Sequence, residues 1–219
     1  MKQTADRERL KRLCVMGMLC ALAYVAVALI RVPVVAFLKY EPKDVFLVIG
    51  AFLYGPLPGL AMTAAVSLVE MVTVSDTGLI GLVMNILSSG LFVVTASAVY
   101  QRRRTLPRAV IGLVAGAVAM TAGMLLWNYL ITPLYMAVDR AAVAGMLLTV
   151  FLPFNLLKAG LNAALAVILY KSVAAALRAA RLLPPADTHP RSRRDLIRLA
   201  ALFLLITLIV LLLIWKGIL

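Results

Sequence analysis

Groups that titrate near neutrality are scarce in this chain. Its 219 residues include one histidine, two cysteines and nine acids. The single histidine, His189, stands in a basic, proline-rich stretch without metal-ligating companions, so we read it as solvated. General acid–base chemistry at neutral pH therefore has few providers. No H-E-x-x-H, G-x-S-x-G or cysteine–histidine metal spacing occurs, which argues against a membrane protease or phosphatase. No G-x-x-x-x-G-K-[ST] occurs either, so the chain is not itself a P-loop ATPase. The expectation is a protein that is not an enzyme and has no resident cofactor or metal. Cys14 and Cys20 lie six residues apart in one apolar run, too far along a helix for a mutual disulfide; they read as small packing residues. That run is too long for a cleavable signal and lacks a small-residue cleavage site.

What the chain has in abundance is apolar sequence. Hydrophobic residues make up 64% of it, and the mean hydropathy is +1.03. This is the composition of a polytopic membrane protein, with no room for a sizeable soluble domain. The net charge of +13 would suit nucleic acid, but the basic residues lie beside the apolar runs, where positive charge sets topology. Sixteen of the 22 lysines and arginines fall in the N-terminal tail, the 102–108 loop and the 171–198 segment. All three lie on one side if there are seven spans and the N-terminus is cytoplasmic. The reading is thus a cytoplasmic basic tail (1–12), a six-helix membrane domain (13–177), a basic proline-rich cytoplasmic linker (178–195) and an accessory transmembrane helix (196–219). The spans are placed at 13–30, at 45–72 as two helices broken by Tyr54-Gly55-Pro56-Leu57-Pro58-Gly59, at 79–100, 109–132, 147–176 and 196–215, the last anchored by Trp215. Residues 31–44 form an unusually apolar outer loop, read either as a lid over a pocket or as a segment at the interface with Tyr40 at headgroup level. Residues 133–146 form another outer connection. Gly17 and Ala21 make a small-xxx-small pair on the first helix, a surface that admits close approach of another helix.

Within the sixth span, Asn155, Lys158 and Asn162 fall at roughly 0°, 300° and 340° around a helix axis, and so share a face. Polar groups at membrane depth are costly and should face protein or a wet cavity. One ammonium and two amides suit a neutral ligand rich in carbonyls, ring nitrogens and hydroxyls. The alternative is structural: asparagines joining helices, and a lysine paired with a buried acid such as Glu70. Glu70, near the outer end of its helix, pairs with a lysine or meets ligand hydroxyls. Asn85, Ser88, Ser89 and Gly90 fall on the interior face of the fourth span, and Asn128 lies near the outer end of the fifth.

Several stretches carry a resemblance: Leu38-Lys39-Tyr40-Glu41-Pro42-Lys43-Asp44; Gly50-Ala51-Phe52-Leu53-Tyr54-Gly55-Pro56; and Glu70 through Ser89, with Thr77-Gly78-Leu79-Ile80-Gly81-Leu82-Val83-Met84-Asn85 inside it. Trp127-Asn128-Tyr129 and Asn155-Leu156-Leu157-Lys158 fit the same pattern. Over about residues 10–178 the chain resembles the riboflavin-specific substrate-binding (S) component of energy-coupling-factor (ECF) vitamin transporters. The resemblance implies an all-α membrane bundle of six helices, here with one extra C-terminal helix outside the family pattern. It implies an outward-facing vitamin pocket capped by the first loop, in the cell membrane. It implies as partners a transmembrane coupling protein and two ATPase subunits, and no nucleic acid. By position, Asn128, Asn155 and Lys158 match the family's riboflavin-binding residues, and Leu38, Glu41, Glu70, Gly81 and Asn85 complete the expected substrate-binding set. Val34, Phe37, Leu38 and Met84 are expected to give apolar cover to the three-ring system. Gly17 and Ala21 stand where the family's Ala-x-x-x-Ala meets the coupling protein. Two other readings are an S component for another flavin or heterocyclic vitamin, and a membrane enzyme or scaffold with a structural polar stripe.

Overall fold

The computed structural model describes residues 2–35, 38–183 and, further on, 197, 200, 201, 204, 205, 207–209 and 212. Helix α1 (Lys2–Leu29) carries the basic tail and the first apolar run as one continuous rod. Val15, Leu19, Ala23 and Val27 form its buried stripe. Gly17 and Ala21 lie on its exposed side, among Leu13, Met18, Leu22 and Val25.

The apolar loop after α1 is not a plain loop. Strands β1 (Val32–Val35) and β2 (Leu38–Tyr40) pair antiparallel, Val32 opposite Tyr40 and Pro33 opposite Lys39, with a register shift between Pro33 and Val35. The β-branched valines favour this extended pairing. The expected all-α fold thus carries a small hairpin at one end.

Helix α2 (Lys43–Tyr54) has 12 residues, about 18 Å, well short of a hydrocarbon core of about 30 Å. It is buried along most of its length, which suits a half-span held inside the bundle. The expected break falls at Gly55, whose φ of 103° and ψ of 173° turn the chain before Pro56 opens α3 (Pro56–Thr73). Helices α4 (Gly78–Arg102) and α5 (Leu106–Met136) pack closely. A side chain at Gly112 or Gly116 would strike the backbone carbonyls of Ala96 or Phe92. Helix α5 runs beyond the boundary expected at 132, carrying Pro133 inside it. It ends at Ala137 in the left-handed region. The outer connection expected at 133–146 is therefore largely helical, continuing as α6 (Arg140–Met146). A π-helical turn (Leu147–Phe151) follows, then α7 (Leu152–Ala179). Pro153 has no N–H for the carbonyl four residues earlier, which favours the wider turn there.

Five helical stretches among the described residues are long and apolar enough to cross a membrane: Asp6–Leu29, Pro56–Thr73, Gly78–Arg102, Leu106–Met136 and Arg140–Ala179. The expected division into six spans plus one is therefore modified, with α2 short and α6–α7 nearly continuous. Of the last expected span, the described residues are helical. The first linker residues continue α7 to Ala179 and turn by residue 183, whereas linker residues 184–195, with His189, and Trp215 lie outside the described residues.

Val15 and Leu19 of α1, Leu47 and Val48 of α2, Met62 of α3, Phe92 and Val93 of α4, and Leu113 and Met120 of α5 share the main core. At one end Arg12 donates to the Tyr54 carbonyl (3.3 Å) and Gln101 to that of Phe52 (2.9 Å), so the basic tail, the α2–α3 break and the α4–α5 connection lie together. At the opposite end, Leu38 of the hairpin packs with Val143, Phe151 and Phe154. That contact seats the hairpin against α6 and the N-terminal end of α7.

Candidate functional site

Under the hairpin lies a cavity of about 210 Å³, below the roughly 300–1,000 Å³ common for small-molecule sites. Seven of the residues expected to bind substrate line it: Leu38, Glu41, Gly81, Asn85, Asn128, Asn155 and Lys158. Arg31, Asp76 and Thr77 stand on its wall as well, and Met84, Met124 and Phe154 add apolar surface. Among the residues expected as apolar cover, Val34 is exposed and is not part of the lining. Phe37 lies outside the described residues.

Glu70 does not reach this wall. It is fully buried behind Asn85, whose Nδ2 donates to Oε1 at 3.1 Å. The other oxygen of Glu70 accepts from Lys43, also fully buried. Lys43 donates in turn to Glu41 Oε2 (3.1 Å), and Arg31 Nε donates to Glu41 Oε1 (2.9 Å). Each buried charge in this ladder meets an opposite one, as burial requires. Glu41 and Arg31 are the members that line the cavity. Burial alone would push the Glu41 carboxyl up, but Lys43, Lys158 and Arg31 together hold it down to about 2. At the rim, Lys39 pairs with Asp76 and holds that exposed carboxyl below its usual range. Sequence spacing did not mark Arg31 or Lys43, because their partners become neighbours only when the hairpin folds back.

The sixth-span stripe is buried as expected, with Asn155 2%, Lys158 5% and Asn162 0% exposed. Two of its members line the cavity, and Asn162 lies off it. Asn162 Nδ2 donates to Asp44 Oδ2 (3.1 Å), and the Tyr40 hydroxyl donates to Asn162 Oδ1 (3.1 Å). Lys158 Nζ is 3.9 Å from the same Asp44 oxygen. Asn155 donates to the Phe151 carbonyl (2.8 Å), an acceptor at the π-helical turn. Asn128 is fixed similarly, donating to Met124 O (2.7 Å) and accepting from Thr132 (3.0 Å). These bonds hold both amides in one orientation before any ligand arrives.

Three buried or part-buried cations, Arg31, Lys43 and Lys158, face three buried acids, Glu41, Asp44 and Glu70. With the rim pair Lys39 and Asp76, four cations stand against four acids in and behind the wall, so the cavity offers directional polar contacts in balanced surroundings. Such a site suits an uncharged, partly apolar molecule with hydrogen-bonding groups.

Known proteins share this sequence and architecture. Residues 11–170 match the family model described as "ECF transporter, substrate-specific component". The chain is 30% identical over 167 residues to "Riboflavin transporter FmnP" of Bacillus subtilis (strain 168), covering 68% of this chain and 85% of that protein. It is 26% identical over 183 residues to "Riboflavin transporter RibU" of Staphylococcus aureus (strain TCH60), covering 79% and 95%. A solved structure, "Structure and mechanism of the S component of a bacterial ECF transporter", superposes with a TM-score of 0.65 at 26% identity, covering 78% of this chain and 99% of that one. The matched region contains the hairpin, the cavity and every helix that lines it, and the chain belongs to the ECF transporter substrate-specific components, multi-pass membrane subunits of transporters and not enzymes.

Proposed function

We propose that this chain captures riboflavin at the outer face of the cell membrane, for uptake powered by ATPase subunits it does not itself contain. The observation that carries this is the convergence of Asn85, Asn128, Asn155 and Lys158 on one cavity that also presents Met84, Met124 and Phe154. Riboflavin has both characters, an apolar three-ring body and a polar pyrimidinedione edge and ribityl chain. Lys158 and Asn155, one helical turn apart, can address one such end. Both named relatives are riboflavin transporters. The positive-inside rule, applied to the basic tail, the 102–108 loop and the basic stretch from the end of α7, supports a cytoplasmic N-terminus and a cavity that opens on the outer side. The partners in this reading are a transmembrane coupling protein, met by the exposed Gly17 and Ala21 side of α1, and two ATPases.

Purification in detergent tests it. The protein is expected to carry or take up a yellow, flavin-absorbing ligand and to quench added riboflavin fluorescence. Unlabelled riboflavin should compete better than other heterocyclic vitamins. Reconstituted alone with ATP, it should bind vitamin without concentrating it. A colourless protein that neither quenches nor competes would overturn the reading; preference for a different vitamin would redirect it within the family.

A further inference from the structure

We infer that Asp44, which does not line the cavity, is the positioning residue for Lys158 and fixes where the ammonium is presented to the ligand. The inference rests on the reading that Lys158 meets the ligand.

A buried ammonium needs a counter-charge. The acids near Lys158 are not equally free to supply it. Glu41 has both oxygens engaged, by Arg31 and by Lys43. Glu70 has both engaged, by Lys43 and by Asn85. Asp76 sits at the rim with Lys39 and, at 4.0 Å, Arg31. Asp44 differs. It is 0% exposed, Oδ2 accepts from Asn162, and Oδ1 is buried with no hydrogen-bond partner. A buried carboxylate with an unused oxygen beside a buried ammonium calls for an explanation.

The 3.9 Å separation supplies one. It lies within ion-pairing range but is too long for a hydrogen bond. The ammonium is held by charge from behind while its N–H donors remain available to the cavity it lines. A closer contact would spend a donor on Asp44. With no acid there, the ammonium would lose its ion-pair partner and with it the pull that fixes its position. The position of Asp44 is itself fixed by Asn162, which also accepts from Tyr40 on strand β2. The hairpin and α7 are thereby referred to the same carboxylate.

A double-mutant cycle in the full chain decides the matter. Asp44→Asn keeps the shape and can still accept from Asn162, but removes the charge. Riboflavin affinity by fluorescence quenching, with thermal unfolding as the control for folding, is measured for Asp44→Asn, Lys158→Met and the double variant. We expect Asp44→Asn to weaken binding roughly tenfold when Lys158 is present, and by less than about twofold in the Lys158→Met background. An equal loss in both backgrounds, or no loss beside a clear loss in Lys158→Met, would overturn the role of Asp44 and leave Lys158 in the site. Unchanged affinity in Lys158→Met would instead remove the lysine contact on which the inference stands. If Asp44→Asn fails to fold, the double variant should fold, because the stranded ammonium is gone. A double variant that also fails to fold would assign Asp44 to packing and overturn the inference.

Discussion

Lys158 shows how far one residue can be read from sequence. Helical periodicity puts it on a face with Asn155, and both line the cavity. Its counter-charge could not be found in the same way, because Asp44 and the α7 stripe are joined across 118 positions of chain. Glu70 gives the opposite lesson. A lone acid near the end of a helix leaves two roles open from sequence, pairing with a lysine or meeting the ligand, and its carboxylate is taken by Lys43 and Asn85. The residue-scale prediction concerns donors. Lys158→Met preserves much of the apolar stem and removes the ammonium. Loss of a charged hydrogen bond to a ligand carbonyl should cost about 1.5–3 kcal/mol, or roughly ten- to hundredfold in riboflavin affinity. Asn155→Leu should also weaken binding, by leaving a ligand polar group unpaired. Fluorescence titration of both variants, with folding verified by melting, checks this; an unchanged dissociation constant in a well-folded Lys158→Met protein would take that side chain out of the site.

At the scale of elements, helices with long apolar runs were legible and the hairpin was not. Its strands are four and three residues long and one contains Pro33, so they offer too little alternation to show a period of two. Charges stabilise it. Glu41, reached by Arg31 from the strand entry and by Lys43 from α2, is held down to about 2. A carboxylate ordinarily near 4.3 when unfolded thus contributes stability that is complete above about pH 4.3 and lost as pH falls toward 2. The protein should lose thermal stability between pH 5 and pH 2 more steeply than its Glu41→Gln variant, and matching slopes would refute the assignment. The α2–α3 break was legible because glycine and proline punctuate it. Gly55, at φ 103° and ψ 173°, has open space where a side chain would point, so the cost of Gly55→Ala is purely one of backbone. That conformation is nearly exclusive to glycine, and the substitution should destabilise by about 1–3 kcal/mol without altering riboflavin affinity. Chemical denaturation in mild detergent would measure it, and an unaffected midpoint would count against the strain.

At the scale of the whole molecule, the family resemblance stops before the C-terminal helix, and sequence alone read that helix as an accessory with no polar stripe. The structure gives it a seat. Among its described residues Ala200 and Thr207 are buried, at 2% and 9% exposed, while Ile197, Leu204, Leu205, Leu208, Ile209 and Leu212 are exposed. The two buried positions, seven apart, lie on one face of the helix. That face meets α7 at Gly160, where any added side chain would strike Thr207. Gly160 lies roughly 140–160° around the α7 axis from Asn155, Lys158 and Asn162. Thr207 therefore packs on the side of α7 that faces away from its polar stripe. Deleting residues 190–219 should lower the melting temperature of the detergent-purified protein yet change riboflavin affinity by less than about threefold, under 1 kcal/mol. Gly160→Leu in the full chain should reproduce the lowered melting temperature by prising the same helix away, because small residues are what allow the close approach. If the truncated protein stays folded but no longer binds, the helix completes the pocket. If neither change moves the melting temperature, the contact at Gly160 contributes nothing to the fold.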